Sequence, residues 1–260
     1  MSYFYLISSL PELKLSDTSL TPLQLEELME TIMRNATVAD RQVLNCLLYP
    51  NDNQNLLFIL FHEYHDFEIG VFSKPSVLSA DLLDNYRMEQ ESLPDYMIYY
   101  LNDLSGSYSS LSLRRMEHEL NGYFHEHVAQ LESIFLNTYF TWQFELKKTI
   151  ADINHKAFDY LPISNDSFQA DYAVTKALHG LATKEEVTNE VTPLVEANDL
   201  EGIETKINQY YWEFADSWQE PFSSEQLFAY MVKLLRLYQW IGFSNKGEAA
   251  KSKFEELVQG

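Results

Sequence analysis

The residues of this 260-residue chain that could do chemistry are seven histidines, one cysteine and 39 carboxylates. His62, His65 and Asp66 fall at i, i+3 and i+4, so on a helix they share a face. Two imidazoles and a carboxylate so placed form a metal-ligating set. The motif is His-Glu-x-His, however, and not the H-E-x-x-H of a zinc protease. A solvated or core-edge pair is the ordinary outcome of this spacing. His125 and His127 lie about 200° apart around a helix and cannot pinch one ion, and His118 shares a face with His125 only two turns away. His127 falls on an apolar stripe, where a hydrogen-bonded core histidine is expected. A carboxylate-bridged di-iron bundle needs paired Glu-x-x-His motifs. The chain has none, and one Asp-x-x-His, at Asp152 and His155.

Cys46 lies in Val43-Leu44-Asn45-Cys46-Leu47-Leu48, which predicts a buried, inert thiol. A single cysteine forms no intrachain disulfide, and its usage fits a reducing cytosol. No G-x-S-x-G elbow occurs. With 39 acids, carboxylate pairs arise by chance and carry no glycosidase signal. The eight glycines include no G-x-G-x-x-G. Gly242 and Gly247 have phosphate-loop spacing, but Glu248 and Ala249 follow where Lys and Ser or Thr belong, and a carboxylate there repels phosphate. The expectation is therefore no catalytic residue, no cofactor and no metal.

The elements that would carry these residues read as helix after helix. Thr21-Pro22-Leu23-Gln24, Thr183-Lys184-Glu185-Glu186 and Ser223-Ser224-Glu225-Gln226 are capping boxes, the first with Pro at the first helical position. Asn51-Asp52 precedes the apolar run Leu56 to Phe61 as a helix start, and Pro94 opens a short helix ending near Gly106. Gly180 and Gly242 sit where C-terminal caps belong. The one strand candidate is Asp66–Phe72. From Ser112 to about His155 no proline occurs, and Leu113, Met116, Leu120, Phe124, His127, Leu131, Ile134 and Phe135 fall on one helical face. A helix of that length would span roughly 60 Å, with a break, if any, near Asn137-Thr138. The last major helix, about 224–241, has a stripe of Leu227, Tyr230, Met231, Leu234, Leu235, Tyr238 and Ile241, with Phe228, Val232 and Trp240 on a second side. The fold class expected is all-α: an elongated multi-helix bundle, 1–260 as one unit, with at least one very long helix, internal helical repeats as an open question, and a subdomain boundary near 159–167, where Pro162 and Asn165-Asp166 mark a loop.

Lys and Arg total 18 against 39 Asp and Glu, a formal net charge of −21. So acidic a chain repels phosphate backbones and anionic lipid, which argues against nucleic-acid binding and a polybasic anchor. The opening Met1-Ser2-Tyr3-Phe4 lacks the basic region of a signal peptide. The apolar run at 56–61 is far too short for a bilayer, so no direct membrane insertion is expected. Residues 185–225 hold eleven acids and one base, Lys206, a net charge of −10, whereas 226–260 carry a net +2. Solvated helix faces are the plain account of the acidic block, and docking onto a basic partner is the sharper one. Seventeen tyrosines, with Tyr99-Tyr100 and Tyr210-Tyr211-Trp212 spread over more than one helix face, put some aromatics at surfaces, where amphipathic rings favour protein contacts.

Three segments carry a family resemblance: Met1-Ser2-Tyr3-Phe4-Tyr5-Leu6-Ile7-Ser8-Ser9-Leu10-Pro11-Glu12-Leu13, Leu93-Pro94-Asp95-Tyr96-Met97, and Tyr139-Phe140-Thr141-Trp142-Gln143-Phe144-Glu145-Leu146. Together they resemble an uncharacterised bacterial family whose genes sit among those for V/A-type ATPase subunits. The resemblance implies a role like that of the C-type connector of A-type ATPases, or its d-type counterpart in V-type ones. That connector is an all-helical, non-catalytic funnel of repeated units that couples the central stalk to the membrane ring. The partners implied are the stalk and ring subunits, and the location is cytoplasmic, peripheral to the inner membrane through the complex. The family's repeated helix has an aromatic, then Glu, then an Asn-Leu-Arg-like run. Trp142 and Glu145 fit, and Lys148-Thr149-Ile150 replaces the run. Phe228, Tyr230, Leu234 and Arg236 line up with Phe140, Trp142, Leu146 and Lys148, but Lys233 stands where the Glu belongs. Trp142, Tyr230 and Arg236 are the candidate interface residues. The alternatives are a free-standing cytosolic helical scaffold or adaptor and, third, a metal-binding helical enzyme using His62 and His65.

Overall fold

A computed structural model describes residues 3–15, 20–66, 72–158, 181–218 and 220–259, with the side chains of 158 and 243–259 left aside. The described residues form ten α-helices and two short 3₁₀ turns, and no strand occurs among them. The fold is all-α, as the capping boxes and helical periodicity predict. The strand candidate at Asp66–Phe72, the Gly180 cap and the boundary near 159–167 lie, wholly or in their key residues, outside the described residues.

The chain divides into two compact units. The first takes its described residues from Met1–Asp40, Tyr139–Ser164 and Tyr172–Gly260, and the second from Arg41–Thr138. In the first, α1 (Phe4–Ser9) precedes α2 (Pro22–Asn35). Thr21 accepts from the Gln24 N–H while the Gln24 side chain accepts from the Thr21 N–H, completing the expected box. Leu25, Met29 and Ile32 bury the apolar stripe of α2, which packs against the last helix, α10 (Ser224–Gln259). Between them in sequence come α7 (Ile134–Phe158), α8 (Lys184–Glu196) and α9 (Leu200–Asp216), α9 touching both α8 and α10. Thr183 and Glu186 form the second predicted box. At α10 the third box is shifted by one residue. Ser223 accepts from the Gln226 N–H, but the Gln226 side chain accepts from Phe222 N–H at 2.6 Å instead of from Ser223.

Gly242 does not end α10, which runs on to Gln259. A helical glycine costs only about 1 kcal/mol, and Glu248, Ala249, Ala250 and Lys251 just beyond it are strong helix formers. The stripe of α10 is buried as predicted at Leu227, Met231, Leu234, Leu235 and Ile241, and Phe228 and Val232 cover the second side.

The second unit is built on α3 (Val38–His65), α4 (Ala80–Asp84), α5 (Asp95–Asp103) and α6 (Leu113–Gln130). Asn51-Asp52 does not start a helix. α3 passes through Pro50 and places both residues in its middle. Pro94 does open α5, whose Tyr96, Met97, Tyr100 and Leu101 face inward onto α6.

The expected spar from 112 to 155 is two helices, α6 and α7, parted at Leu131–Ser133. Leu131 caps α6, Glu132 adopts φ +50°, and Ser133 restarts the chain by accepting from the Leu136 N–H at 3.3 Å. The break precedes Asn137-Thr138 and moves the stripe out of phase. Met116, Leu120, Phe124 and Phe135 are buried and Leu113 and Leu131 half-buried, but Ile134 is 73% exposed.

Candidate functional site

Helix α7 carries Trp142 into an aromatic nest of the first unit. Its ring stacks on Phe214 of α9 at 4.7 Å and meets Tyr211 edge-on at 4.9 Å, and Tyr139 stands edge-on to Phe214 at 5.4 Å. These i, i+3 spacings, 139/142 on α7 and 211/214 on α9, put each pair on one helical face. Arg236 of α10 closes the nest from the other side. Its guanidinium lies over the Tyr211 ring at 4.2 Å from the centroid. Nε and Nη2 donate to the Asn208 Oδ1 at 3.0 and 2.6 Å, and Nη1 donates to the Gln239 Oε1 at 2.7 Å. The buried Tyr211 hydroxyl is harder to ionise than usual because of burial, an effect the Arg236 charge opposes. Two of the three candidate interface residues, Trp142 and Arg236, therefore converge on Tyr211. The third, Tyr230, is half-buried and donates to the Pro11 carbonyl at 2.8 Å, tying α10 to the opening segment.

Phe140 and Phe228 are both buried, as are Leu146 and Leu234. Lys233 sits over the Trp212 ring and pairs with Asp216 at 2.5 Å. The acidic stretch 185–225 is stitched in the same way: its single base, Lys206, pairs with Glu190 at 2.9 Å and lies over the Tyr210 ring.

Tyrosine supplies donors to carboxylates beside the bases. Tyr3 donates to Asp40, Tyr86 to Glu63, Tyr123 to Asp103, Tyr210 to Glu190 and Tyr238 to Glu26. In a chain with 18 bases for 39 acids, a phenol gives a carboxylate a donor that is not a cation, although Glu63 is also paired with Arg87 and Glu190 with Lys206. The Asp103 partner, with burial, pushes the Tyr123 phenol up to about 12. Glu190 is held below the usual carboxylate range by Lys206 first and Tyr210 second. Tyr3 anchors the opening segment. Its N–H donates to the Phe222 carbonyl at 2.8 Å and its hydroxyl accepts from the Thr37 N–H at 2.9 Å. Beside this anchor Phe4 and Tyr5 are 50% and 88% exposed.

The described histidines do not assemble. His62 is exposed, and the His65 Nε2 lies 3.1 Å from the Tyr108 carbonyl while its ring stacks on Phe61. His127 packs against Tyr96 and Tyr49, and burial lowers its proton affinity. Asp152 is taken by Lys184 at 3.1 Å. Among the described residues no three His, Cys, Asp or Glu side chains stand close enough to hold a metal ion. Cys46 is fully buried, and burial pushes its thiol up to about 12.

One polar cluster escapes the sequence reading. In the middle of α3, Asn51, Asp52, Gln54 and Asn55 grip the segment 73–78. Asn51 donates to the Pro75 carbonyl at 2.7 Å. The two Asp52 oxygens accept from Val77 N–H at 3.1 Å and Leu78 N–H at 3.0 Å. Asn55 accepts from Ser73 N–H at 2.6 Å and donates to the Ser73 carbonyl at 3.0 Å, and Gln54 accepts from the Ser73 hydroxyl. Asn53 points elsewhere and accepts from the Tyr96 hydroxyl at 2.6 Å. The available signal was five consecutive Asx or Gln residues between Leu48 and Leu56, a polar run inside a helix whose neighbours are buried.

The comparison with known families places the chain. It belongs to the family described as protein of unknown function DUF2764, whose profile matches residues 1–260. No curated protein and no solved structure matches it. Among the described residues no helix is long and apolar enough to cross a membrane.

Proposed function

We propose that this DUF2764 chain is a non-catalytic coupling component of a V/A-type ATPase, C/d-like, seated between central stalk and membrane ring. The observation that carries the proposal is the resemblance of the opening segment, Leu93–Met97 and Tyr139–Leu146 to a family encoded among ATPase subunits. The all-helical fold supports it, because a connector needs shape and contact surfaces rather than a nucleophile. The interior roles of Trp142 and Arg236 bear on how it would act. They tie α7 and α10 to α9, as a torque-transmitting part requires. Partner contact then falls to the outer surfaces, acidic on α8 and α9 and aromatic at Phe4 and Tyr5.

An acidic surface steers association with basic partners, and that contribution weakens as the Debye length falls from about 10 Å at 0.1 M salt to about 3 Å at 1 M. Buried aromatic contacts supply the salt-resistant part. The test is a pull-down with stalk and ring subunits of the same organism at low and high salt. Retention of any ATPase component at low salt, weakened at high salt, is the expected result. Folded protein that retains none at low salt would leave the free-standing scaffold. Stoichiometric metal lost on His62→Ala, His65→Ala substitution would turn the assignment to the metal-binding alternative.

A further inference from the structure

Asp52 is a carboxyl with no exposed surface in the middle of a helix. Its two oxygens are met by the backbone amides of Val77 and Leu78. Buried acidic groups in proteins are ordinarily paired with a cation, and among the described residues no ion pair is formed by Asp52. Among the described residues, the groups that face it are neutral at physiological pH or ionise only in alkali. Its own helix contributes Tyr49, with Cys46 beside that tyrosine, and α5 contributes Tyr96, whose hydroxyl is given to Asn53 and not to Asp52. His127 of α6 lies against the far side of the two tyrosine rings. The segment above offers amides, with its one cation, Lys74, exposed.

We infer that the segment 73–78 is a pH-responsive strap, gripped most tightly while Asp52 is neutral and loosened as Asp52 ionises beneath it. The neutral carboxyl still presents an oxygen to each amide. The ionised one binds those amides more strongly but is held away from water without a counter-charge, and that cost is relieved only when the strap lifts and lets water in. Burial dominates over the two amide bonds and pushes the carboxyl up to about 7. The transition therefore falls where small changes in pH matter. The device regulates access to this face of the second unit and does not depend on what the protein binds.

The full-length chain tests it by amide hydrogen exchange, followed by NMR between about pH 5 and pH 8 and corrected for the intrinsic chemical rate. Lifting the strap returns Asp52 to an ordinary carboxyl, so the protection of the Val77 and Leu78 amides should fall about tenfold per pH unit up to neutrality and level off above it. Asp52→Asn should flatten that slope. Asn51→Ala, which removes only the bond to the Pro75 carbonyl, should lower protection at every pH and keep the slope. Protection independent of pH in the native protein between about pH 5 and pH 7 would overturn the inference, as would a slope that survives in Asp52→Asn. Should Asp52→Asn not fold, the native profile and Asn51→Ala decide by themselves.

Discussion

The guanidinium of Arg236 lies 4.2 Å from the centre of the Tyr211 ring and donates twice to the Oδ1 of Asn208, one turn before Tyr211 on α9. Planarity makes both contacts possible at once, and an ammonium cannot reproduce them. Arg236→Lys should therefore destabilise the protein by about 1–3 kcal/mol, because Asn208, itself 3% exposed, loses its partner and the stack is lost. Urea denaturation measures it. A midpoint equal to that of the native chain would mean that the nest does not need its lid.

The two helices that replace the expected spar make a paired prediction. Phe135 is 1% exposed and its neighbour Ile134 is 73% exposed. Phe135→Ala should cost about 3–5 kcal/mol, and Ile134→Ala should stay within about 0.5 kcal/mol of the native protein. A continuous helix in the register of the sequence stripe would make both substitutions costly, so the pair separates the two arrangements in one denaturation experiment.

The break itself gives a substitution of opposite sign. Glu132 holds φ +50°, a conformation that costs an L-residue about 1–2 kcal/mol and glycine almost nothing. Glu132→Gly should raise stability by about 0.5–1 kcal/mol. In a continuous helix the same change would lower it by a similar amount. The sign of the shift in thermal midpoint decides.

What was legible in the sequence follows from how local each signal is. The boxes at Thr21 and Thr183 are four-residue chemistry and appear as expected. The break at Leu131–Ser133 has neither glycine nor proline, and its only mark is a serine that serves as well in mid-helix as at a cap. Asn51-Asp52 misleads for a related reason. The side-chain acceptors that cap a helix also bind the backbone of a distant segment, and only the tertiary structure says which backbone. The stripe of α10 was legible because both sides are apolar, whereas the place of Arg236 inside the packing was not. A long amphipathic side chain reads as surface until an aromatic face and a buried amide are found beneath it. Tyrosine pairing with carboxylates was half-visible, in the count of seventeen, but the partners come from elements far apart in the chain.

The anchor of the opening segment titrates in the sense opposite to the strap. Asp40 is pushed up by burial, but the hydrogen bonds from Tyr3, Thr37 and Ser224 outweigh burial and leave its carboxyl below the usual range. A carboxyl whose proton affinity falls on folding stabilises the folded state above its unfolded value, about 3.9, and that stability is lost as pH falls through the lower folded value. The strap's Asp52, raised instead, stabilises below the unfolded value and loses its contribution as pH rises to about 7. Tyr3→Phe removes the donor to Asp40 and the acceptor for the Thr37 N–H together. It should cost about 1–2 kcal/mol at neutral pH. The difference from the native protein should shrink below about pH 4, because the protonated Asp40 no longer rewards its donors. Thermal denaturation of both proteins across that range measures the difference, and a gap that stays constant down to about pH 3 would show that the Tyr3 hydroxyl acts through the Thr37 N–H and not through the Asp40 charge.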